Sequence, residues 1–376
     1  MTLEQIKLEI KNLTTIFSVP PWNLIKDYSY NLSLTPLRKN DIYFFEKYSD
    51  QLADFQPSYM KTIYDTTNNL ICHVYHLYDM YVTYSGCFSD GVHLIQPDNE
   101  GPYEIRMTKD GPVIDYYENV IAVGHSQIMN YGHHINDFLS PLMIIPEEIQ
   151  NKSVIVGYGL KNLVLETLNA LGFENKIKFL EEGQWIFAKN LYACARPRPH
   201  LSHFGVPQLE LSRKLRKFYK VDKIEPTNYY LSNRNTKIRS IYNFNELFEA
   251  AKTRFPEIKW KTAPDLILTV RETALIWSKA KFMFTVTGSN SMKAIFMSSD
   301  SVFVDVIGNL LDPPIIKCFL SVGVKVVIFS IKNMKHFEIS ENIVDIPLAM
   351  KAFETAIYYI NNKKWPPTSD GISFVC

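Results

Sequence analysis

The sequence predicts a two-domain α/β protein, and three observations support this fold class. The chain has 376 residues, against ~150 for an average domain, so two domains are expected. Hydrophobic residues make up 46% of the chain and charged residues 21%, which is the composition of a globular protein rather than a disordered one. From residue 119 onward, buried strand patterns alternate with helix patterns in two successive runs, as in α/β domains.

The N-terminal part, residues 1–118, has the weakest periodicity. Its first residues place Ile6, Ile10 and Leu13 on one side of a helix, so we expect an amphipathic helix there. The remainder is rich in Tyr, Asp and Pro, with short strand patterns such as residues 71–78. We interpret residues 1–118 as an irregular elaboration packed on the first domain.

The first α/β domain is expected at residues 119–208, where strand patterns surround one helix pattern. That helix ends at Gly172, because glycine accepts the left-handed conformation that commonly closes a helix. In chain order the elements are strands 119–123 and 153–156, helix 160–171, and strands 176–180 and 185–188.

The second α/β domain is expected at residues 209–335, followed by a C-terminal segment, residues 336–376, that crosses back. Parallel sheets are expected in both domains, with ligands bound at the carboxyl ends of the strands, in the cleft between domains. The predicted strands are 228–231, 282–286, 302–306 and 325–329, and the predicted helices are 209–219, 244–254 and 269–279, with one more after residue 286.

Charge and hydropathy exclude several function classes. Lys and Arg total 40 against 39 Asp and Glu, a net charge of +1, whereas a nucleic-acid-binding chain is normally basic. No run approaches the ~18 apolar residues of a transmembrane helix, and the start lacks the apolar core of a signal peptide. We therefore expect a soluble protein, cytoplasmic as the sequence stands, or lumenal in the Golgi or ER if it is a trimmed form.

The cysteines lie far apart, with no C-x-x-C pair, so neither a disulfide framework nor a zinc ribbon is expected. Free thiols are favoured, and one bridge stays open as the alternative. The five are Cys72, Cys87, Cys194, Cys318 and Cys376.

Residues 282–297, FMFTVTGSNSMKAIFM, carry the sharpest local signal. A buried strand leads through small residues into a helix pattern, and the first N–H groups of a helix attract phosphate or diphosphate. Neither a G-x-x-x-x-G-K-[ST] loop nor a G-x-G-x-x-G fingerprint is present. The alternative is an ordinary strand–helix turn with a Ser or Asn cap. The candidate binding residues are Thr287, Gly288, Ser289, Asn290 and Ser291.

Two polar segments add to this signal. In LSNRNTKIRSIYNFNEL, Arg234 and Arg239 follow a predicted strand, and Asn243 lies four residues further on. The planar donor group of arginine suits phosphate oxygens, and the alternative is a solvated basic loop.

In NYGHHINDFLSP, His133 and Asp137 are four residues apart and share one face if this segment is a helix. A His beside a carboxylate could accept a proton from a hydroxyl nucleophile, and the alternative is a role in capping and packing.

Two weaker patterns are set aside. Ser126 in VGHSQ resembles the nucleophile of a G-x-S-x-G elbow, but Ile128 occupies the place of the second glycine, which argues against a serine hydrolase. His73, His76 and Asp79 match no strong metal-ligand spacing, so structural roles are favoured. The chain also has no D-x-D, the usual magnesium anchor of metal-dependent nucleotide-sugar transferases.

Together the three polar segments resemble glycosyltransferase family 61, which includes plant β-1,2-xylosyltransferases and animal protein O-linked GlcNAc transferases. The resemblance covers roughly residues 115–330. The family's G-x-H-G-A-x-L-x-N-x-x-F-M turn has Thr287 here in place of its His, and Ser289 and Asn290 in place of its Ala-Gly pair. Its N-x-x-H-x-x-x-D and S-R-x-x-x-x-R-x-x-x-N-E segments are matched by Asn130, His133 and Asp137, and by Arg234, Arg239 and Asn243.

The resemblance implies the GT-B fold, in which residues 119–208 and 209–335 form two facing Rossmann-like domains, the first for the acceptor and the second for the nucleotide sugar. It implies inverting transfer of xylose or GlcNAc from a UDP-sugar, without a metal or other cofactor, to a hydroxyl of a glycan or glycoprotein. The alternatives are a non-catalytic carbohydrate-binding protein of the same fold and, less favoured, a serine hydrolase using Ser126.

The resemblance also implies a role for each candidate residue. Asp137 is the expected base, with His133 as its partner or substitute. The arginines and the turn at residues 288–291 are expected to bind the diphosphate. The full set of expected substrate-binding residues is Asn130, Arg234, Arg239, Asn243, Thr287, Gly288, Ser289, Asn290 and Ser291.

Overall fold

The structure of the chain, a computed structural model, forms two compact α/β units. The first comprises residues 1–33 and 69–215, and the second comprises residues 34–68 and 216–376. The residues that the structure describes are 6, 8–16, 21–34, 42–44, 57–95, 109–123, 129–195, 203–265, 269–331, 333–367 and 372–374.

The strands within these residues are numbered in chain order. They are β1 (Glu9–Ile10), β2 (Thr14–Ile16), β3 (Leu24–Ser33), β4 (Ile42–Phe44), β5 (Asn69–Thr83), β6 (Phe88–Ser89), β7 (His93–Ile95), β8 (Gly111–Ala122), β9 (Val154–Gly157), β10 (Ile177–Phe179), β11 (Trp185–Ala195), β12 (Asn228–Leu231), β13 (Trp260–Thr262), β14 (Ala280–Val286), β15 (Val302–Ile307), β16 (Lys325–Ser330) and β17 (Ile372–Phe374).

The helices are numbered in the same way. They are α1 (Pro57–Asn68), α2 (Tyr131–His133), α3 (Ser140–Leu142), α4 (Glu147–Lys152), α5 (Lys161–Ala170), α6 (Val206–Phe218), α7 (Phe244–Arg254), α8 (Val270–Ser278), α9 (Pro313–Val322) and α10 (Ile346–Asn362), with a π-helix at His134–Leu139 and a 3₁₀ helix at Ser289–Phe296. Within the described residues, none of these helices is long and apolar enough to cross a membrane.

The first unit contains a mixed sheet of ten strands in the order β10-β9-β8-β11-β5-β6-β7-β2, with β1 on β8 and β3 on β5. The β8, β9, β10 and β11 pairings are parallel, as expected for this region. Strand β5 is antiparallel to β3, β11 and β6, which corrects the expectation of a parallel sheet. An antiparallel sheet can leave one face in water, and β5 accordingly alternates buried and exposed residues over its first half.

The expectation that residues 1–118 form an irregular elaboration is also corrected. Residues 24–33, 69–83 and 111–122 supply three of the longest strands of this sheet, β3, β5 and β8. The expected N-terminal helix is also wrong in its described part, because Ile10 lies in β1, paired with β8, and residues 14–16 form β2, paired with β7. The β-branched run Thr14-Thr15-Ile16 favours a strand, and this pairing overrides the helical spacing.

The second unit contains a seven-stranded sheet in the order β13-β12-β14-β15-β16-β4-β17. All neighbours except β17 are parallel, which confirms the expected parallel sheet. Helix α10 covers its core through Phe353, whose ring packs on Phe282, Phe284 and Trp260. Residues 34–68, expected with the first domain, provide β4 and α1 here, and the described part of residues 336–376 also belongs to this unit.

The topology of the second sheet gathers four loops at one edge. Strands β12, β14, β15 and β16 are adjacent and parallel, and Leu231 pairs with Phe284 while Val286 pairs with Val306. The loops after these strands therefore start close together at the carboxyl ends, the usual ligand-binding edge of an open α/β sheet.

None of the described cysteines Cys72, Cys87, Cys194 and Cys318 forms a disulfide bond, which agrees with the interpretation favoured from the sequence. Cys376 lies outside the described residues.

Candidate functional site

Arg234 and Arg239, on the loop after β12, converge on the turn after β14. The Nη1 atoms of both side chains donate to the carbonyl oxygen of Thr287, at 3.4 Å from Arg234 and 3.0 Å from Arg239. The structure thus brings together two of the sequence segments predicted to bind a diphosphate. The acceptor of both hydrogen bonds is the main-chain oxygen of Thr287, not its side chain.

Asn233 holds the arginine loop in place, and sequence reasoning missed it. Its Oδ1 accepts from the N–H groups of Arg234, at 2.9 Å, and Ile241, at 2.8 Å, while its Nδ2 donates to the Ile241 carbonyl at 2.9 Å. These three bonds tie the two ends of the loop together. The signal available in the sequence was an Asn directly before the first arginine, a residue type that often bonds to nearby backbone.

Gly288 makes the close approach of the arginines possible. Its φ of 140° and ψ of −166° lie in a region that only glycine occupies readily. A Cβ atom added at Gly288 would lie 2.5 Å from the Nη1 of Arg234 and 2.9 Å from the Nη1 of Arg239. The guanidinium groups therefore occupy the space that any other residue would fill.

The helix that follows differs in type from the expected one. Ser289–Phe296 is a 3₁₀ helix with Gly288 at its N-cap, and the N–H of Ser291 donates to the Gly288 carbonyl at 2.8 Å. Asn290 is buried, with its Nδ2 3.5 Å from the Oγ1 of Thr285. Ser289, Asn290 and Ser291 carry short polar side chains, which compete with α-helical bonding and favour tighter turns.

The two arginine charges are close together and largely buried. Burial lowers the pKa of Arg234, and burial together with the neighbouring Arg234 charge lowers the pKa of Arg239 to about 10. Among the described residues, no carboxylate lies within 4.0 Å of either guanidinium, and both Nε atoms are buried without a hydrogen-bond partner. The turn therefore carries concentrated positive charge with unused donors.

A buried acid, Asp305, lies beside the same turn. Asp305, on β15, is fully buried, and its Oδ1 lies 3.4 Å from the Oγ of Ser291. Burial, followed by the charge of Asp312, raises the pKa of Asp305 well above its usual value. A carboxyl group with a raised pKa is held toward its neutral form, so it contributes little negative charge to the arginines.

A His–Asp pair lies in the first unit. His133 ends α2, and its Nδ1 is 2.6 Å from the Oδ2 of Asp137 in the following π-helix. The side chain of Asp137 is 1% exposed and that of His133 is 25% exposed. Asn136 donates from its Nδ2 to the other oxygen of Asp137 at 2.9 Å. The two side chains therefore share one face, as their spacing indicated, and the role of Asp137 as the base stays a prediction.

Residues 131–304 match the family model described as Glycosyltransferase 61. The chain carries a glycosyltransferase family 61 domain. It is therefore a glycosyltransferase, as the resemblance of the three segments predicted. No curated protein matches the chain.

The family 61 domain contains nearly all the predicted site residues. The matched range includes the His133–Asp137 pair, both arginines and the turn at residues 287–291, whereas Asn130 lies just before it.

The side chain of Asn243 is hydrogen-bonded to the backbone of Val344. Its Nδ2 donates to the Val344 carbonyl and its Oδ1 accepts from the Val344 N–H, both at 2.9 Å.

His73, His76 and Asp79, for which structural roles were favoured over a metal site, each bond to a different residue. His73 bonds to Asp27, His76 bonds to Asn190, and Asp79 pairs with Lys189. Among the described residues, no group of three or more His, Cys, Asp or Glu side chains could hold a metal ion. Ser126, the alternative nucleophile, lies outside the described residues.

Proposed function

We propose that this glycosyltransferase transfers xylose or GlcNAc from a UDP-sugar to a hydroxyl of a glycan or glycoprotein, with inversion and without a metal ion. The observation that carries the proposal is the pair of largely buried arginines over Gly288, with no carboxylate within 4.0 Å among the described residues. A diphosphate is the dianion that such a pair would neutralise.

The arginine pair would act mainly as the glycosidic bond breaks. Departure of UDP adds one negative charge to the diphosphate, so cations held in advance at that position stabilise the transition state more than the bound substrate. The Nε atoms of Arg234 and Arg239 are donors for the phosphate oxygens. The start of the 3₁₀ helix adds the main-chain N–H groups of Ser289 and Asn290 on the same turn, whereas the N–H of Ser291 is engaged by the Gly288 carbonyl.

The His–Asp geometry favours His133 as the base and Asp137 as the residue that orients it. Asp137 is nearly inaccessible, with both oxygens engaged, while His133 is partly exposed. Because the N–H at Nδ1 donates to Asp137, Nε2 is the ring nitrogen that can accept a proton. The acceptor oxygen then attacks the anomeric carbon, its proton passes to Nε2 of His133, and the bond from that carbon to the diphosphate oxygen breaks.

We also propose that the two units correspond to the two domains of the GT-B fold, with the acceptor bound by the first and the UDP-sugar by the second. Asn130, beside the His133 helix, would contact the acceptor. For Asn243, contact with substrate would require release of its bonds to Val344, so its role in this proposal is to support the arginine loop.

The proposal is tested by incubating the full chain with UDP-xylose and UDP-GlcNAc in EDTA and measuring UDP release with and without glycan acceptors. We expect release that His133→Ala lowers by about 10²-fold or more and that Ser126→Ala leaves unchanged. UDP binding without release or transfer would instead support the non-catalytic carbohydrate-binding protein. Loss of activity with Ser126→Ala alone would support the hydrolase.

A further inference from the structure

His336 contacts the arginine site from a distant part of the chain, and it lies outside the matched residues 131–304. It follows β16 in the loop at the carboxyl edge of the second sheet, and it is 6% exposed. Its N–H donates to the Oδ1 of Asn309, in the loop after β15, at 2.9 Å. The backbone of His336 is thus fixed to a second loop of the same edge.

The imidazole of His336 accepts a hydrogen bond from Arg239. Its Nε2 lies 2.9 Å from the Nη1 of Arg239. A guanidinium has only donors, so Nε2 must be unprotonated and the ring proton must reside on Nδ1. Burial, followed by the charges of Arg239 and Arg234, lowers the pKa of His336 to about 4, which keeps the ring neutral at physiological pH. Among the described residues, the acid that approaches this ring within 4.0 Å is Asp312, whose Oδ2 is 3.9 Å from Nε2.

This bond determines which edge of Arg239 remains for a ligand. Nη1 carries two hydrogens, and its two acceptors are the Thr287 carbonyl and His336. The hydrogens on Nε and Nη2 have no acceptor among the described residues. Those two nitrogens form the edge through which arginine binds an oxyanion in bidentate fashion. With φ at 61°, the Arg239 backbone is also in the left-handed region, so local interactions must hold it there.

We propose that His336 is a positioning residue for the donor diphosphate: it holds Nη1 of Arg239 so that the Nε–Nη2 edge faces a phosphate group. The inference rests on the proposed function, and it assigns a role to a loop after β16 that none of the three sequence segments contains. His336 acts through Arg239 and makes no contact with the reacting atoms.

The test compares two substitutions at this position by calorimetric titration with UDP. His336→Gln retains an acceptor at about the position of Nε2 and should bind UDP within about threefold of the wild type. His336→Leu removes the acceptor and should weaken binding about tenfold, the scale of one hydrogen bond to a charged group. His134→Leu, at a buried histidine of the first unit, is the matched control and should leave UDP affinity unchanged while lowering the melting temperature.

A double-mutant cycle with Arg239→Ala separates positioning from a general structural effect. If His336 acts through Arg239, adding His336→Leu to Arg239→Ala weakens UDP binding no further. Equal losses in both backgrounds, or wild-type affinity in His336→Leu, would overturn the inference while leaving the proposed function intact. If the wild type itself binds no UDP, both the proposed function and the inference are wrong.

Should His336→Leu fail to fold, the ¹⁵N chemical shifts of the His336 ring in the wild type decide the matter. The inference requires an unprotonated Nε2 and a protonated Nδ1. The opposite tautomer, or a protonated ring at pH 7, would contradict it.

Discussion

Gly288→Ala tests the arginine site, because a side chain at Gly288 would collide with both arginines. The added Cβ would lie 2.5 Å from Arg234 Nη1 and 2.9 Å from Arg239 Nη1, closer than such atoms can pack. Both neighbours are the ends of flexible side chains, so the arginines will move before the backbone does. The substitution therefore displaces both cations without removing either charge.

Two magnitudes follow from this geometry. A residue other than glycine in this conformation costs about 1–3 kcal/mol of stability. Each displaced arginine loses a hydrogen bond to a charged group, worth about 1.5–3 kcal/mol, so UDP binding should weaken by about 3 kcal/mol or more. That corresponds to a factor of at least about 10² in the dissociation constant.

The assay is calorimetric titration of UDP together with denaturant unfolding of the same samples. Gly323→Ala is the matched control, because Gly323 has φ of 74° in the same unit and its added Cβ would meet only Ser299, at 3.4 Å. This control should lose about 1 kcal/mol of stability and retain UDP affinity. If Gly288→Ala binds UDP within about threefold of the wild type, the arginines do not form the diphosphate site.

Three further predictions address the first unit and the fold. Asp137→Asn should lower turnover by less than His133→Ala, which should lower it by about 10²-fold or more, with UDP affinity unchanged in both; a larger loss for Asp137→Asn in steady-state kinetics would restore Asp137 as the base. Burial lowers the pKa of His134 to about 3, so below ~6.5 the unfolded chain binds a proton that the folded chain does not, and stability falls with decreasing pH. His134→Gln should remove about 1.4 kcal/mol per pH unit of that loss between pH 6.5 and 3 in denaturant titrations, and an unchanged slope would contradict it. Thr269→Ala should cost about 1 kcal/mol of unfolding free energy, because Thr269 and Glu272 form a capping box at α8.

The second unit was the more predictable part of the fold. Its central strands are buried on both faces, so each appears in the sequence as a continuous apolar run, and the predicted 302–306 and 325–329 match β15 and β16 to within one residue. In the first unit the sequence predicted parts of β8, β9, β10 and β11, but it missed β3 and predicted β5 only as residues 71–78. Strand β5 carries the partly exposed His73, Tyr75 and His76, and its partners β3 and β11 lie far away in the chain.

The candidate site was predictable only where its residues are close in sequence. The arginine pair, the turn at Gly288 and the His133–Asp137 pair each form a short segment with a recognisable spacing. His336 lies 97 positions from Arg239, and the two meet only because β12 and β16 end at the same edge of one parallel sheet. No pattern of neighbouring residues predicts this contact, because it depends on the order of the strands in the sheet.

The most direct test of the arginine-based donor site is a UDP titration of the full chain in EDTA, run beside Arg239→Ala and Arg254→Ala. Arg254 pairs with Glu354 on the surface, so its loss leaves the site intact. We predict saturable binding that EDTA and Arg254→Ala leave unchanged and that Arg239→Ala weakens by about 1.5–3 kcal/mol. Absence of UDP binding, binding abolished by EDTA, or equal affinity in Arg239→Ala would contradict a metal-free diphosphate site at these arginines.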